Sequence, residues 1–285
     1  KRLFGFIGAG GTAGALLGPL LTIGLSAPLG PTNLLIPAAV MLELAVFCVY
    51  RLERAALAHS GPAPHERIGG SALAALPELI RSPYLLGIGI WVSLLSFGAT
   101  MLYFEQAHIV SETVRGSGAQ TRIFASIDLT VNILALATQV FLTGQVLKRL
   151  GSGIAAAALP AVYVFGFAAI FLSPALSVVL VVQVVQRWMN FAIANPARQV
   201  FFTVLGREEK YKAKNLIDVV IYRGSDALYG WVFDSLQALG LKLGAIALCA
   251  LPVAVGWLVL SVGLGRGEEK RARELELGTA RGELP

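Results

Sequence analysis

Two apolar stretches in the second half of the chain carry ionisable side chains where a lipid-facing helix would carry none. VVQVVQRWMNFAIANPARQVFF, residues 181–202, holds Arg187 and Arg198. GREEKYKAKNLIDVVIYRGSDALYGW, residues 206–231, places Asp218, Arg223 and Asp226 behind the bases Lys210, Lys212 and Lys214. A charge at membrane depth costs ~3 kcal/mol or more, so by default it marks a substrate or ion path. At 100° per residue, Gln183, Arg187, Asn190, Ala194 and Arg198 fall on one helix face, with the two arginines ~20° and ~16 Å apart. This polar stripe, interrupted by Asn195-Pro196, reads as an anion track. Proline breaks the backbone ladder and can act as a hinge or turn carbonyls toward a cavity. The plainer alternative has Arg198 snorkelling to the cytoplasmic edge with only Arg187 deep. Arg223 and Asp226 are three residues apart and can pair along one face. Such a pair either orients the bundle or faces a cavity where a substrate or proton can open it. Asp218 lies nearer the inner end of the same helix.

Isolated acids complete the set. Glu43 is mid-span in the second apolar stretch, and Asp128, with Asn132 one turn on, lies in the fourth. Either is a candidate for carrying a coupling proton, as intramembrane acids do in pumps and transporters. Glu105-Gln106 ends the third stretch and is expected at its outer rim. His59, His65 and His108 show no ligand spacing, so neither a metal nor a cofactor is called for. Cys48 and Cys249 lie inside apolar runs and read as small buried hydrophobes.

The elements that must position these residues are membrane helices. The chain has 285 residues, 56% hydrophobic and 14% charged, with a mean hydropathy of +0.71. Soluble domains are about 45–50% apolar and about 25% charged. Eight spans are expected, near 3–26, 31–50, 83–106, 122–144, 154–173, 176–203, 214–236 and 241–264. SALAALPELIRS, 71–82, is too short to cross and reads as an interfacial amphipathic helix. With alternating spans and both ends cytoplasmic, the loop bases gather on one side. Only Arg115, Arg122 and Lys242 fall outside. The net charge of +6 therefore faces an anionic leaflet, and nucleic acid is not needed to explain it.

The chain opens at Lys1 directly into an apolar segment, without the order of regions of a signal peptide. It reads as a piece of a longer protein. Residues 1–50 give two spans of an incomplete N-terminal half, 51–82 a cytoplasmic inter-half loop, 83–264 a six-helix C-terminal bundle and 265–285 a charged cytoplasmic tail. This layout resembles the second half of a major facilitator transporter with the last two spans of the first. FGFIGAGGTAGALLGP, 4–19, matches a loose dinucleotide fingerprint. It lacks the preceding strand and the acid about 20 residues on that such a site needs. Gly10, Gly14 and Gly18 instead recur every four residues, a groove for close helix contact. Gly14-x-x-x-Gly18-Pro19 resembles the glycine–proline motif on the fifth span of facilitator-family antiporters.

RWMNFAIANPARQVFFTVLGREEKYKAKNLIDVVIYRGSDA resembles the late spans of the ATP/ADP translocases of plastids and intracellular bacteria. It is closer still to their bacterial relatives. Within that pattern Asn195-Pro196 stands for an Asp-Pro and Arg198 for a Lys. Lys212 and Lys214 match loop lysines, Ile217-Asp218-Val219-Val220 matches directly, and Arg223 matches an Arg. Gln199 replaces a Glu, and Asp226 stands where the nucleotide exchangers tend to have Lys. The resemblance implies an all-α, facilitator-type fold in a bacterial plasma membrane and alternating-access transport of an organic anion, with ATP/ADP exchange as the leading suggestion. Arg187, Asn190, Asn195, Arg198, Lys212, Lys214, Asp218, Arg223 and Asp226 would serve the substrate. The acid at Asp226 and the glycine–proline motif favour a rival, a proton-coupled antiporter of an apolar or cationic solute. A non-transporting assembly subunit is a further alternative. A membrane enzyme would need a nucleophile or His–carboxylate cluster, which the chain lacks.

Overall fold

The computed structural model describes residues 2–60 and 76–280, and all regular structure among them is helical. Two compact units form, residues 1–70 with 114–129, and residues 71–113 with 130–285.

The first unit contains α1 (Arg2–Asn33), α2 (Leu35–Ser60) and the start of α5 (Ser117–Phe141). Three prolines, Pro19, Pro28 and Pro31, lie in α1, which bends at Gly30, where φ is 76°. A side chain would resist that left-handed backbone. None of the apolar stretch Leu35–Ala55 is buried, and Leu42, Phe47 and Val49 are among its exposed side chains. A helix that is apolar all round belongs in lipid or inside a larger bundle. A Cβ at Gly10, Gly14 or Gly18 would meet nothing within 4 Å. The close helix contact expected of this stripe does not form among the described residues.

The second unit contains α3 (Leu76–Arg81), α4 (Pro83–Thr113), the remainder of α5, α6 (Thr143–Leu172), α7 (Leu176–Met189), α8 (Asn195–Phe201), α9 (Arg207–Asn215), α10 (Tyr222–Ala238) and α11 (Leu243–Ala280). Wide π turns at Asn190–Ala194 and Leu216–Ile221 join α7 to α8 and α9 to α10. Among the described residues, seven helices are long and apolar enough to cross a membrane: Gly10–Asn33, Leu35–Ala55, Pro83–Thr113, Ser117–Phe141, Thr143–Leu172, Leu176–Phe201 and Leu243–Glu274. The eighth expected span, 214–236, is helical throughout but not among them, because Asp218, Arg223, Asp226 and Asp234 lower its apolar character. Of the expected interfacial helix, Leu76–Arg81 forms, with Leu79 buried; residues 71–75 lie outside the described residues. The start of the charged tail is helical, since α11 runs on to Ala280. Glu268 on it accepts a hydrogen bond from Ser152 at 2.7 Å, and the Arg271 guanidinium lies 4.6 Å from the Tyr84 ring centre. Cys48 and Cys249 are exposed rather than buried, as a small apolar side chain facing lipid can be.

The core of this unit centres on Trp91, Tyr163 and Trp257. The Trp257 ring lies 5.4 Å from both others, and Trp91 donates to the Ser261 hydroxyl at 2.8 Å. The tightest crossing joins α6 to α11, where Gly153 and Gly265 put the two backbones against each other. A Cβ on Gly153 would fall 2.6 Å from the Gly265 Cα. Small residues at such crossings are how membrane helices gain packing without a hydrophobic driving force. Gly153→Ala is expected to lower stability by about 1–3 kcal/mol, read as a lower unfolding temperature in detergent, since neither backbone can retreat. Gly263→Ala, whose Cβ meets nothing within 4 Å, should leave that temperature unchanged or higher.

Candidate functional site

Pro196 has no N–H, so the Ala192 carbonyl loses its helical donor. Just before it the backbone widens, and the Asn195 N–H reaches back five residues to the Asn190 carbonyl. The Phe191 carbonyl is thereby left without its usual donor as well. Lipid offers no replacement. The α5–α6 corner does: Thr143 Oγ1 donates to Ala192 O at 2.7 Å, and Gln139 Nε2 to Phe191 O at 2.9 Å. Trp188 fixes the same corner by donating to Thr138 Oγ1 at 2.9 Å.

The wide turn also corrects the expected polar stripe. One extra residue in the turn rotates Arg198 by about 100° relative to Arg187. Arg187 stays half-buried toward α6, within electrostatic reach of Tyr163. Arg198 turns to the second broken helix and pairs with Asp218, Nη1 to Oδ1, at 2.8 Å. Their side chains are 11% and 29% exposed, so Arg198 does not simply snorkel to the edge. One turn away, Lys214 Nζ donates to Gln199 Oε1 at 2.7 Å. These two contacts clasp α8 to the α9–α10 helix.

Asp218 itself sits in a wide turn, where the Tyr222 N–H bonds the Ile217 carbonyl. No proline lies there; the turn coincides with the β-branched run Ile217, Val219, Val220 and Ile221, which fits a regular helix poorly. Asp226, expected to pair with Arg223, accepts a hydrogen bond from Ser96 on α4 at 2.5 Å instead. Beside it Ser225 donates to Ser93 at 2.8 Å, and Ser93 bonds the Tyr229 hydroxyl at 3.0 Å. Arg223 is exposed on α10.

Two tyrosines that the sequence reading missed tie these groups together. Tyr222 lies within electrostatic reach of Arg198, Arg223 and Asp226. Tyr163 lies within reach of both Tyr222 and Arg187. The Tyr163 hydroxyl donates to Gln186 Oε1 at 2.7 Å, and Gln186 Nε2 to Gln183 Oε1 at 3.1 Å. The second unit therefore gathers Arg187, Arg198, Asp218, Arg223 and Asp226. Asn190 Oδ1 and Arg198 Nε are buried without a hydrogen-bond partner, which leaves capacity for a ligand. Asn195 and Lys212 are half-buried on the same two helices. Glu43, exposed, and Asp128, half-buried, belong to the first unit. Glu105-Gln106 is not at a rim, because both residues are buried. Two sequence signals pointed to the missed hydroxyls: Ser93 and Ser96 three apart in an apolar helix, and Tyr163 after a run of alanines.

An all-helical bundle with lipid-length apolar helices and ionisable side chains in its interior defines a multi-pass helical membrane protein. Searched against protein-family models, the sequence matches none, and no curated protein matches it significantly.

The clasp gives a thermodynamic expectation. Asp218→Asn and Arg198→Gln should each destabilise by about 1–3 kcal/mol, because each leaves a partly buried charge unpaired. The double variant should fall short of the sum by about 1 kcal/mol or more, measured as a double-mutant cycle of unfolding in detergent. Thr143→Val, which strands the Ala192 carbonyl, should cost about 1–3 kcal/mol by the same measurement.

Proposed function

We propose that the protein is a secondary active transporter of facilitator type that moves an organic anion by alternating access, with nucleotide exchange of the ATP/ADP kind as the leading case. The observation that carries this reading is the Arg198–Asp218 pair, a charged clasp between two helices that are both broken inside the bundle. A ligand shifts a conformational equilibrium only through unequal affinity for the two states. An anion competes with Asp218 for the guanidinium, so its arrival weakens the clasp and favours the state in which the two helices part. Arg187 and Arg223 on the same helices supply further cationic donors, and guanidinium binds carboxylate or phosphate oxygens in pairs. The likeness of residues 187–226 to the nucleotide exchangers supports the same choice of substrate class.

Asp226 favours a second reading. It accepts from the Ser96 hydroxyl on α4 rather than from a bound arginine, an arrangement suited to a proton-coupled antiporter of an apolar or cationic solute.

The test is uptake of labelled ADP into proteoliposomes holding the intact protein, loaded with ATP. Arg187→Ala and Arg223→Ala should each reduce uptake about tenfold or more, as expected for loss of a charge-assisted contact. Uptake unaltered in both variants would sink the anion reading. Collapse of drug efflux in Asp226→Asn, with no competition from nucleotide, would establish the second. ADP in large excess over its dissociation constant should also raise the unfolding temperature, by about 2.7 kcal/mol of linkage at one hundred times that constant.

A further inference from the structure

α4 carries a polar feature that the arginine-lined interior does not use. Glu105 is 0% exposed, and neither of its carboxylate oxygens has a hydrogen-bond partner. Gln106 beside it is 1% exposed, and its Oε1 is likewise without a partner. The neighbouring turns present Met101, Leu102, Ile109 and Val110, all buried. Glu105 lies ~14 Å along the helix from Ser96, too far to join the Asp226 network. It is two turns beyond Gly98, on the side of α4 that meets the Tyr163 ring.

Among the described residues, no cation stands ready for a carboxylate there. The level of Glu105 follows from counting along the helices from the contacts Gly87–Leu264, Trp91–Ser261, Gly98–Tyr163 and Tyr163–Gln186. It falls at 167–172 of α6 and 176–183 of α7, neither with a charged residue, and at 243–250 of α11, whose one titratable side chain, Cys249, is exposed. The Tyr163 hydroxyl, two turns away, donates to Gln186. α10 contributes Asp234, exposed, next to the Phe233 ring that stacks on Phe104 at 5.1 Å. On α4 itself, His108 is engaged with Glu112 at 3.2 Å. α3 and the turn Leu216–Ile221 meet α4 around Gly89, at its other end, where Arg81 and Asp218 lie. Arg187 is further along α7, and the charges of α11 begin at Arg266. An ionised carboxylate in this place would give up its hydration for nothing, at several kcal/mol.

We propose that Glu105, with Gln106, is a proton-binding site of this protein. In the packed state the acid keeps its proton. When α4 parts from its neighbours and water enters, the O–H bond breaks, the proton passes to water on the open side, and the carboxylate is stabilised by hydration. Return to the packed state requires a proton to be taken up again. In its consequence for transport the inference rests on the function proposed above, because proton release is then linked to the change of access.

Infrared difference spectroscopy on the purified intact protein tests the site directly. The wild type should show the carbonyl band of a protonated carboxylic acid at neutral pH, shifted in heavy water, and Glu105→Gln should lack it while keeping its unfolding temperature. A band absent from the wild type, or unaltered in Glu105→Gln, overturns the site. Proteoliposomes test the linkage. With one proton per substrate, a gradient of one pH unit changes the accumulation ratio by about tenfold. Glu105→Gln should flatten that response, whereas Glu112→Gln, exposed on the same helix, should keep it. An unchanged response in Glu105→Gln overturns the linkage, and a response to sodium replacing choline overturns the assignment to protons. If the wild type transports nothing but shows the band, the transport reading falls and the proton site stands.

Discussion

A helix broken inside a bilayer releases carbonyls that water cannot reach, and the protein must supply their donors itself. Much of the second unit follows from that demand. Pro196 and the wide turn before it free two consecutive carbonyls, and Thr143 and Gln139 occupy them. The corner between α5 and α6 is therefore held against α7 by hydrogen bonds as well as by apolar packing. Lipid tails are as apolar as the side chains they meet, so directional bonds of this kind carry information about helix position that burial alone cannot. The same break sets the charges. By rotating Arg198 away from the line of Arg187, it aims one guanidinium at α6 and the other at Asp218.

The two broken helices answer each other. Each has a wide turn, and the Arg198–Asp218 pair joins the piece beyond one turn to the turn of the other. Wide turns recur at functional sites because they can shift register with little loss of bonding. A salt bridge between two such elements holds one arrangement without making it permanent. The glycine crossing of α6 on α11 behaves differently. There the backbones touch, with no side chain able to swing aside. The unit thus combines a fixed seam, α6 on α11, with one clasped by the Arg198–Asp218 ion pair and the Lys214–Gln199 hydrogen bond.

That the chain is an all-helical membrane protein was legible because hydropathy is a property of single segments. Seven of the eight expected spans appear as membrane-length apolar helices. The eighth, 214–236, is helical but less apolar, for the reason that singled it out at the start: it carries the charges. The charges that the second unit holds stood out in the sequence too, since a charge in an apolar run announces itself by its cost. Their partners were not. Spacing along a regular helix put Arg223 with Asp226 and set Arg198 in line with Arg187. A wide turn undoes such arithmetic, and only Pro196 gave notice of one; the turn at Asp218 has no proline. The Ser96 hydroxyl on α4 could not be matched to Asp226 without knowing that α4 and α10 are neighbours. Glu105 was misplaced for a related reason. Its sequence position near the end of an apolar stretch suggested the rim, but α4 continues helical to Thr113, and two further turns carry it into the core.

That extra length changes how the acids of this chain differ from one another. Asp218 and Asp226 each have a partner on another helix and some exposure. Glu105 is fully buried, and among the described residues its carboxylate oxygens have no hydrogen-bond partner. Two kinds of carboxyl therefore coexist in one bundle, one whose charge is matched by protein and one whose charge only water could match. Separating the helices does little to the first kind beyond breaking a bond, because solvent replaces the lost partner. For the second kind it creates a charge where none was stable before. A bundle built this way feels its own opening as a change in ionisation at Glu105, and the free energy of that change depends on the proton concentration of whichever compartment the opening faces.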